Sequence, residues 1–250
     1  ISSPNNTICH NTGTGITIST STTTSNTTYY KWTRGAVGGN ITGASAGPAD
    51  GTPLGTQINQ TLDNTGSTAQ TVTYIVTPWT GTAPNNLLCS GSPINVVVTV
   101  EPTPVISSPA TKTICDNTGT GITVSTSTTT SNTTYYKWTV SGVGPNITGA
   151  SNGPVNGTGL ATPINQTLDN TGTTAQTVTY NITPWTGTAP GTLLCSGSTI
   201  TVVVTVEPTP NVTTASSLTI CSETATNVVL ESNVIGTTFS WTIGTITGGI

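Results

Sequence analysis

The sequence predicts an all-β protein made of tandem sandwich repeats. Three observations carry that expectation: a near-perfect internal repeat at an offset of 106 residues, apolar residues that alternate with polar ones at period two, and turn-forming clusters between the alternating runs. Asn11 to Thr33 and Asn117 to Thr139 differ only at Ile18 against Val124. The same offset relates Gln60–Gly66 to Gln166–Gly172 and Pro78-Trp79-Thr80-Gly81 to Pro184-Trp185-Thr186-Gly187. A third copy begins at Leu218-Thr219-Ile220-Cys221 and then diverges, having lost three residues between its Cys and its Trp. The boundaries expected are 1–104 for the first repeat, 105–210 for the second and 211–250 for the N-terminal part of a third. The chain opens at Ile1 without an initiator Met or signal peptide and reads as a mature piece or a fragment of something longer.

Each repeat reads as strands throughout. Ile16, Ile18 and Thr20 alternate with Thr17 and Ser19. Val72, Tyr74 and Val76 alternate with Thr71, Thr73 and Thr77. Ile94, Val96, Val98 and Val100 close the first repeat, and Val178, Tyr180, Ile182, then Ile200, Val202, Val204 and Val206 repeat the pattern. β-Branched residues at period two form half-buried strands. Asp63-Asn64-Thr65-Gly66 marks a turn, with Asp63 and Asp169 read as Asx-turn formers and a weak cation site as the sharper alternative. No apolar period of 3.6 is long enough for a helix, and no run of 18 apolar residues is present to span a membrane as a helix. About seven short strands per repeat, with one Trp early and a Tyr late, fit an immunoglobulin-like sandwich. The joints Val100-Glu101-Pro102-Thr103-Pro104 and Val206-Glu207-Pro208-Thr209-Pro210 are short, and their prolines fix φ, so an extended rod is expected.

Charge is scarce: 4 Lys+Arg, 8 Asp+Glu and 1 His in 250 residues. Lys31, Arg34, Lys112 and Lys137 are too few to neutralise a nucleic acid. Eight acids cannot furnish acidic-repeat calcium cages. Acid–base catalysis has almost no side chains to draw on, and a nucleophilic triad would depend on His10, whose counterpart in the second repeat is Asp116. There is no phosphate loop or zinc motif, so neither an enzyme nor a cofactor is expected. Abundant Thr keeps a nearly uncharged strand surface wet. Ice binding through Thr ranks finds only Thr71-x-Thr73, and ten Asn-x-Ser/Thr triplets are glycosylation acceptors only if the source glycosylates them.

Cysteines fall at 9, 89, 115, 195 and 221, with the same interval from first to second cysteine in each complete repeat. That spacing predicts Cys9–Cys89 and Cys115–Cys195 bridges, with Cys221 joined to a residue outside the chain. Metal binding and inert reduced thiols are the alternatives. Disulfides would place the chain in an oxidising, extracellular setting. Among the aromatics, Trp32, Trp138 and Trp241 each follow a ring two positions back, Tyr30, Tyr136 and Phe239, which puts each pair on one strand face. These six are expected in the core, with a sugar-stacking platform as the alternative. Trp79 and Trp185, after Pro in a Pro-Trp-Thr-Gly turn, are the candidates for contacts between units or with a ligand. Tyr29 and Tyr135 point to the opposite face and are expected in solvent.

The motifs that follow in order carry a resemblance: Thr-Ile-Cys, Tyr/Phe-x-Trp-Thr, Asn-Ile-Thr-Gly-Ala-Ser, Gln-Thr-Leu-x-Asn-Thr-Gly, Thr-Val-Thr-Tyr-x-Val/Ile-Thr-Pro, a Cys, and Val-Val-Val-Thr-Val-Glu-Pro-Thr-Pro. Both complete repeats and the start of the third resemble the PKD-like immunoglobulin-fold repeats of giant Bacteroidota cell-surface proteins, which are similar to gliding-motility adhesins exported by the type IX system. The resemblance implies a cell-surface filament with the repeats as stalk. Neighbouring repeats of the same chain are then the first partners, with surface polysaccharide or other filament subunits as further ones. The other reading is a module whose repeats themselves bind polysaccharide or protein multivalently.

Overall fold

The computed structural model describes residues 1–247. The first unit holds β1 (Asn6–Cys9), β2 (Thr12–Gly13), β3 (Thr27–Val37), β4 (Ile41–Thr42), β5 (Thr52–Pro53), β6 (Thr61–Asn64), β7 (Gln70–Ala83), β8 (Asn86–Ser90) and β9 (Ile94–Glu101). The second holds β10 (Ile106–Ser107), β11 (Thr111–Cys115), β12 (Thr118–Gly119), β13 (Ser125–Thr126), β14 (Thr133–Ser141), β15 (Ile147–Thr148), β16 (Thr158–Gly159), β17 (Thr167–Asn170), β18 (Gln176–Ala189), β19 (Thr192–Ser196) and β20 (Ile200–Glu207). Among the described residues there is no helix.

In each unit one large sheet faces a small one. The large sheet of the first unit runs β1-β9-β7-β3-β5, with β8 on the far half of β7, and the small one runs β2-β6-β4. β1 lies parallel to β9, while the ladders of β7 with β3, β8 and β9 are antiparallel. The second unit repeats this order through β11-β20-β18-β14-β16 and β12-β17-β15. Alternation explains the core. Val72, Tyr74 and Val76 from β7 and Val96, Val98 and Val100 from β9 all point inward, against Ile58 and Leu62 from the opposite layer. Val178, Tyr180, Ile182, Val202, Val204, Val206, Ile164 and Leu168 do the same in the second unit.

β7 is 14 residues long because it changes partner midway. Gln70 to Val76 pairs with β9, and Trp79 to Ala83 pairs with β8. Pro78, which has no N–H to give, sits where one ladder has ended and the other has not begun. The β7–β8 hairpin therefore lies at one end of the unit, and the close of β1 and β9 lies at the other. The same division in β18 puts the β18–β19 hairpin at one end of the second unit.

Two turn readings are corrected. The Asx turn belongs to Asn64 and Asn170, not to Asp63 and Asp169. The Asn64 Oδ1 accepts from Gly66 N at 3.0 Å, and its Nδ2 donates to the Val100 carbonyl at 2.8 Å, tying the small sheet to β9. Asn170 repeats both bonds. Asp63 Oδ1 instead lies 2.8 Å from His10 Nδ1. Asp116, standing where His10 stands in the first unit, accepts from Asn170 N at 2.7 Å. That backbone hydrogen bond is the main reason its carboxyl lies below the usual range.

Residues 211–247 hold only an isolated bridge, Val212 to Ser232, and turns. Trp241 is 74% exposed and Phe239 36%, against the core placement expected for them. In the two full units the residues at the matching positions lie on β3 and β14, paired in the same sheet with β7 and β18, whereas residues 239–241 pair with no strand among the described residues.

Candidate functional site: the junction between the units

Cysteine geometry defines the site. In the first unit Cys9 pairs with Glu101 at the close of β9, next to Val100, which pairs with Gln70 at the start of β7. Cys89 pairs with Thr80, ten residues further along β7. At ~3.3 Å per residue the two cysteines stand about 33 Å apart along the strand, far beyond the ~7 Å Cα separation a disulfide can span. Cys115 and Cys195 are separated in the same way. The expected Cys9–Cys89 and Cys115–Cys195 bridges are therefore overturned. Cys9 is bonded to Cys195, across the two units, with a sequence separation of 186 and Cα atoms 5.4 Å apart. Cys89, Cys115 and Cys221 are free and exposed.

Glu101 stands beside Cys9 and completes the contact. It lies at the end of β9, has no exposed surface, and reaches across the junction. Its Oε2 accepts from Ser131 N at 3.0 Å; its Oε1 accepts from Asn132 N at 3.0 Å, Asn132 Nδ2 at 3.1 Å and the Ser131 hydroxyl. The Ser131-Asn132 turn, just before β14, thus presents convergent donors to one carboxylate. A buried charge is tolerated only with such compensation.

Backbone pairs add to it. Thr129 N donates to Ser67 O at 2.8 Å, and Ala69 N donates to Thr129 O at 2.8 Å. Just past the connector, Val105 is held within the second unit, its N donating to Thr128 Oγ1 at 3.3 Å and its carbonyl accepting from Thr126 Oγ1 at 2.9 Å. Pro102 and Pro104 are buried. Gly197 must be glycine, because a Cβ there would overlap the Pro104 carbonyl oxygen. The first unit supplies a Cys–Glu pair from one end, and the second unit receives it with Cys195 and Ser131-Asn132 at its hairpin end.

The aromatics fall into three groups. Tyr30 and Tyr136 have no exposed surface, and each ring lies 5.8 Å from that of Trp32 or Trp138, which are half-buried against the core. Trp138 Nε1 donates to Ser151 O at 3.1 Å. Burial raises the Tyr30 hydroxyl and pushes Tyr74, Tyr136 and Tyr180 up to about 12. Tyr29 and Tyr135 are buried, contrary to the solvent placement expected for them. Tyr29 faces Trp79 across the ladder, and the loop carrying Gly51 closes over it from the β7–β8 turn, with Gly51 N donating to Pro84 O at 2.8 Å. Trp79 and Trp185 are half-buried, with Lys31 Nζ 5.9 Å and Lys137 Nζ 5.2 Å from their ring centres.

The PKD-like domain family matches residues 6–104 and 112–210, one copy for each sandwich. The chain belongs to the PKD-like domain family. No curated protein sequence matches it. Among solved structures, this PKD-like chain is similar to the human desmocollin-1 ectodomain, at 10% identity and a TM-score of 0.27 over 85% of this chain and 40% of that one. It is similar also to Drosophila N-cadherin EC1-4, at 12% identity and a TM-score of 0.28 over 84% and 50%. The chain spans half the length of those structures or less, and at these scores neither likeness bears on its function. Among the described residues of the PKD-like units, no three His, Cys, Asp or Glu side chains gather as a metal site.

Proposed function

We propose that the chain is a segment of an extracellular structural stalk, in which repeats 1–104 and 105–210 and the third, begun at 211–250, are rigid links that hold an adhesive tip away from a cell surface. The observation that carries this reading is the junction. A cystine and a fully buried carboxylate fasten one end of the first sandwich to the opposite end of the second, and Pro102 and Pro104 of the connector are buried. Such a joint resists bending, which a stalk needs and a flexible tether does not. From Cys89 to Cys9 is ~33 Å, and the cystine adds little, so each repeat advances roughly 40 Å. The gliding-motility and type IX context rests on the order of sequence motifs. Small-angle scattering of the oxidised chain tests the stalk. Two repeats at that advance give a maximum dimension of about 80 Å or more. A value of about 50 Å, little more than one repeat, would mean a compact side-by-side pair.

A second reading has one observation in its favour. Trp79, with Lys31 Nζ over its ring, borders a shallow groove of about 330 Å³ that Ala49, Asp50, Asn85 and Leu87 also line. An aromatic face flanked by charge suits a sugar ring or a peptide. A glycan array probed with the chain and with its Trp79→Ala, Trp185→Ala variant, melted alongside to show that it is still folded, separates the readings: glycan binding lost by the folded variant supports the second, and no binding by either supports the stalk.

A further inference from the structure

The two faces that the junction leaves unused carry the same parts. At the far end of the second unit, Cys115 is paired with Glu207 just as Cys9 is with Glu101, yet both are exposed. At the hairpin end of the first unit, Cys89 and the Ser25-Asn26 turn stand where Cys195 and Ser131-Asn132 stand in the second. The burial contrast shows what docking does to such a face. Cys195 is 4% exposed and Thr186 not at all. Pro184 is buried too, whereas Cys89 is exposed and Thr80 and Pro78 are only half-covered. The space occupied in the second unit by the Pro104 carbonyl, against Gly197, is in the first unit an open groove of about 230 Å³ beside Gly91 and Cys89.

We propose that these faces are docking sites for further copies of the same repeat, and that each docking closes a disulfide: Cys89 with the first cysteine of a repeat on its hairpin side, and Cys115 with the second cysteine of a repeat on its Glu207 side. This rests on the stalk reading and deepens it, because the array becomes a covalent ladder in which every junction is stapled. Occupancy by a copy of the repeat follows from the chain's own junction, where the same Cys–Glu pair meets the same Cys and Ser-Asn turn. Each bond forms as two thiols lose two protons and two electrons to a disulfide-form oxidant, which leaves as two thiols. Docking orders the reaction, since Glu207 seated on a Ser-Asn turn brings the sulfurs together and disfavours bonding to unrelated thiols.

The test inserts a second copy of residues 105–210 between residues 210 and 211 and oxidises the protein with oxidised glutathione. Acid proteolysis and mass spectrometry without reduction should find Cys9–Cys195 retained and Cys115 bonded to the second cysteine of the inserted copy, with Cys89 still open to alkylation. A second protein, with residues 1–104 copied ahead of Ile1, should bond Cys89 to the first cysteine of the added copy and guards against misfolding of the first. Cys115 alkylated in the longer chain, or bridges inside a repeat, overturns the proposal. Scattering on the same samples separates the two ideas: a chain that lengthens by roughly 40 Å with Cys115 free overturns the staple and leaves the stalk, and a stapled chain that fails to lengthen supports the staple and overturns the stalk.

Discussion

Replacing Glu101 by Gln should loosen the junction without touching either core. The Glu101 carboxylate is wholly buried and accepts four hydrogen bonds, from both N–H groups of the Ser131-Asn132 turn and from both side chains. Gln is nearly isosteric, but it removes the charge that strengthens all four bonds and turns an amide N–H₂ toward a donor. If the amide oxygen takes the place of Oε1, the Ser131 N–H loses its acceptor. Bonds to charged groups are worth ~1.5–3 kcal/mol and an orphaned donor costs ~1–3 kcal/mol, so Glu101→Gln should cost about 2–3 kcal/mol after partial relaxation. Urea melts of the oxidised chain give the value. A double-mutant cycle with Ser131→Ala should show a coupling of ~1 kcal/mol or more, because the two groups touch. The repeat supplies its own control: Glu207 is exposed, so Glu207→Gln should stay within ~0.5 kcal/mol. Equal effects at Glu101 and Glu207, or strict additivity with Ser131→Ala, would refute the argument.

Other expectations rest on the same geometry. Cys9→Ser should lower stability by up to ~5 kcal/mol on the chain-entropy account of a loop this long, while Cys89→Ser should leave the melt unchanged. Gly197→Ala, whose Cβ would overlap the Pro104 carbonyl oxygen, should cost ~1–3 kcal/mol in a denaturant melt and exceed the effect of Gly91→Ala, where the nearest atom is Pro78 Cγ at 2.9 Å. Tyr74, Tyr136 and Tyr180 keep their protons in the folded state up to about pH 12 against 10.0 when unperturbed. The unfolded chain therefore releases those protons first, so the stability they contribute is full below pH 10 and is lost as pH rises toward 12. Phenolate absorbance and circular dichroism should change together across that window.

The fold is legible in the sequence because its signals are local. Val72, Tyr74 and Val76, and Val96, Val98 and Val100, alternate in the sequence and lie in the core for that reason. The Tyr30–Trp32 spacing likewise puts two rings on one face. The junction is not legible, because a repeat hides it. Cys9 has two candidate partners of the same type, Cys89 in its own repeat and Cys195 in the next, and sequence spacing favours the nearer. The length of β7 decides the matter, since it sets the cysteines of one unit at opposite ends. Pro78-Trp79-Thr80-Gly81 reads as a turn that would end the strand, yet it lies inside β7, as Pro184-Trp185-Thr186-Gly187 lies inside β18, so the prolines hide the strand length that sets the cysteines apart. Tyr29 reads as solvent-facing because a sheet's second face looks open until a hairpin folds over it, and that cover depends on contacts such as Gly51 to Pro84 that no periodicity encodes. Asp63 and Asn64 both suit an Asx turn, and only the inward direction of Asn64 toward Val100 selects it.

The central claim is that the units are joined to each other rather than closed on themselves. Peptide mapping of the unreduced 250-residue chain, alkylated and digested at acid pH so that bridges cannot exchange, tests it directly. The account predicts one cross-linked species joining the peptides of Cys9 and Cys195, with Cys89 and Cys115 alkylated. Cross-links joining Cys9 to Cys89 and Cys115 to Cys195 would contradict it.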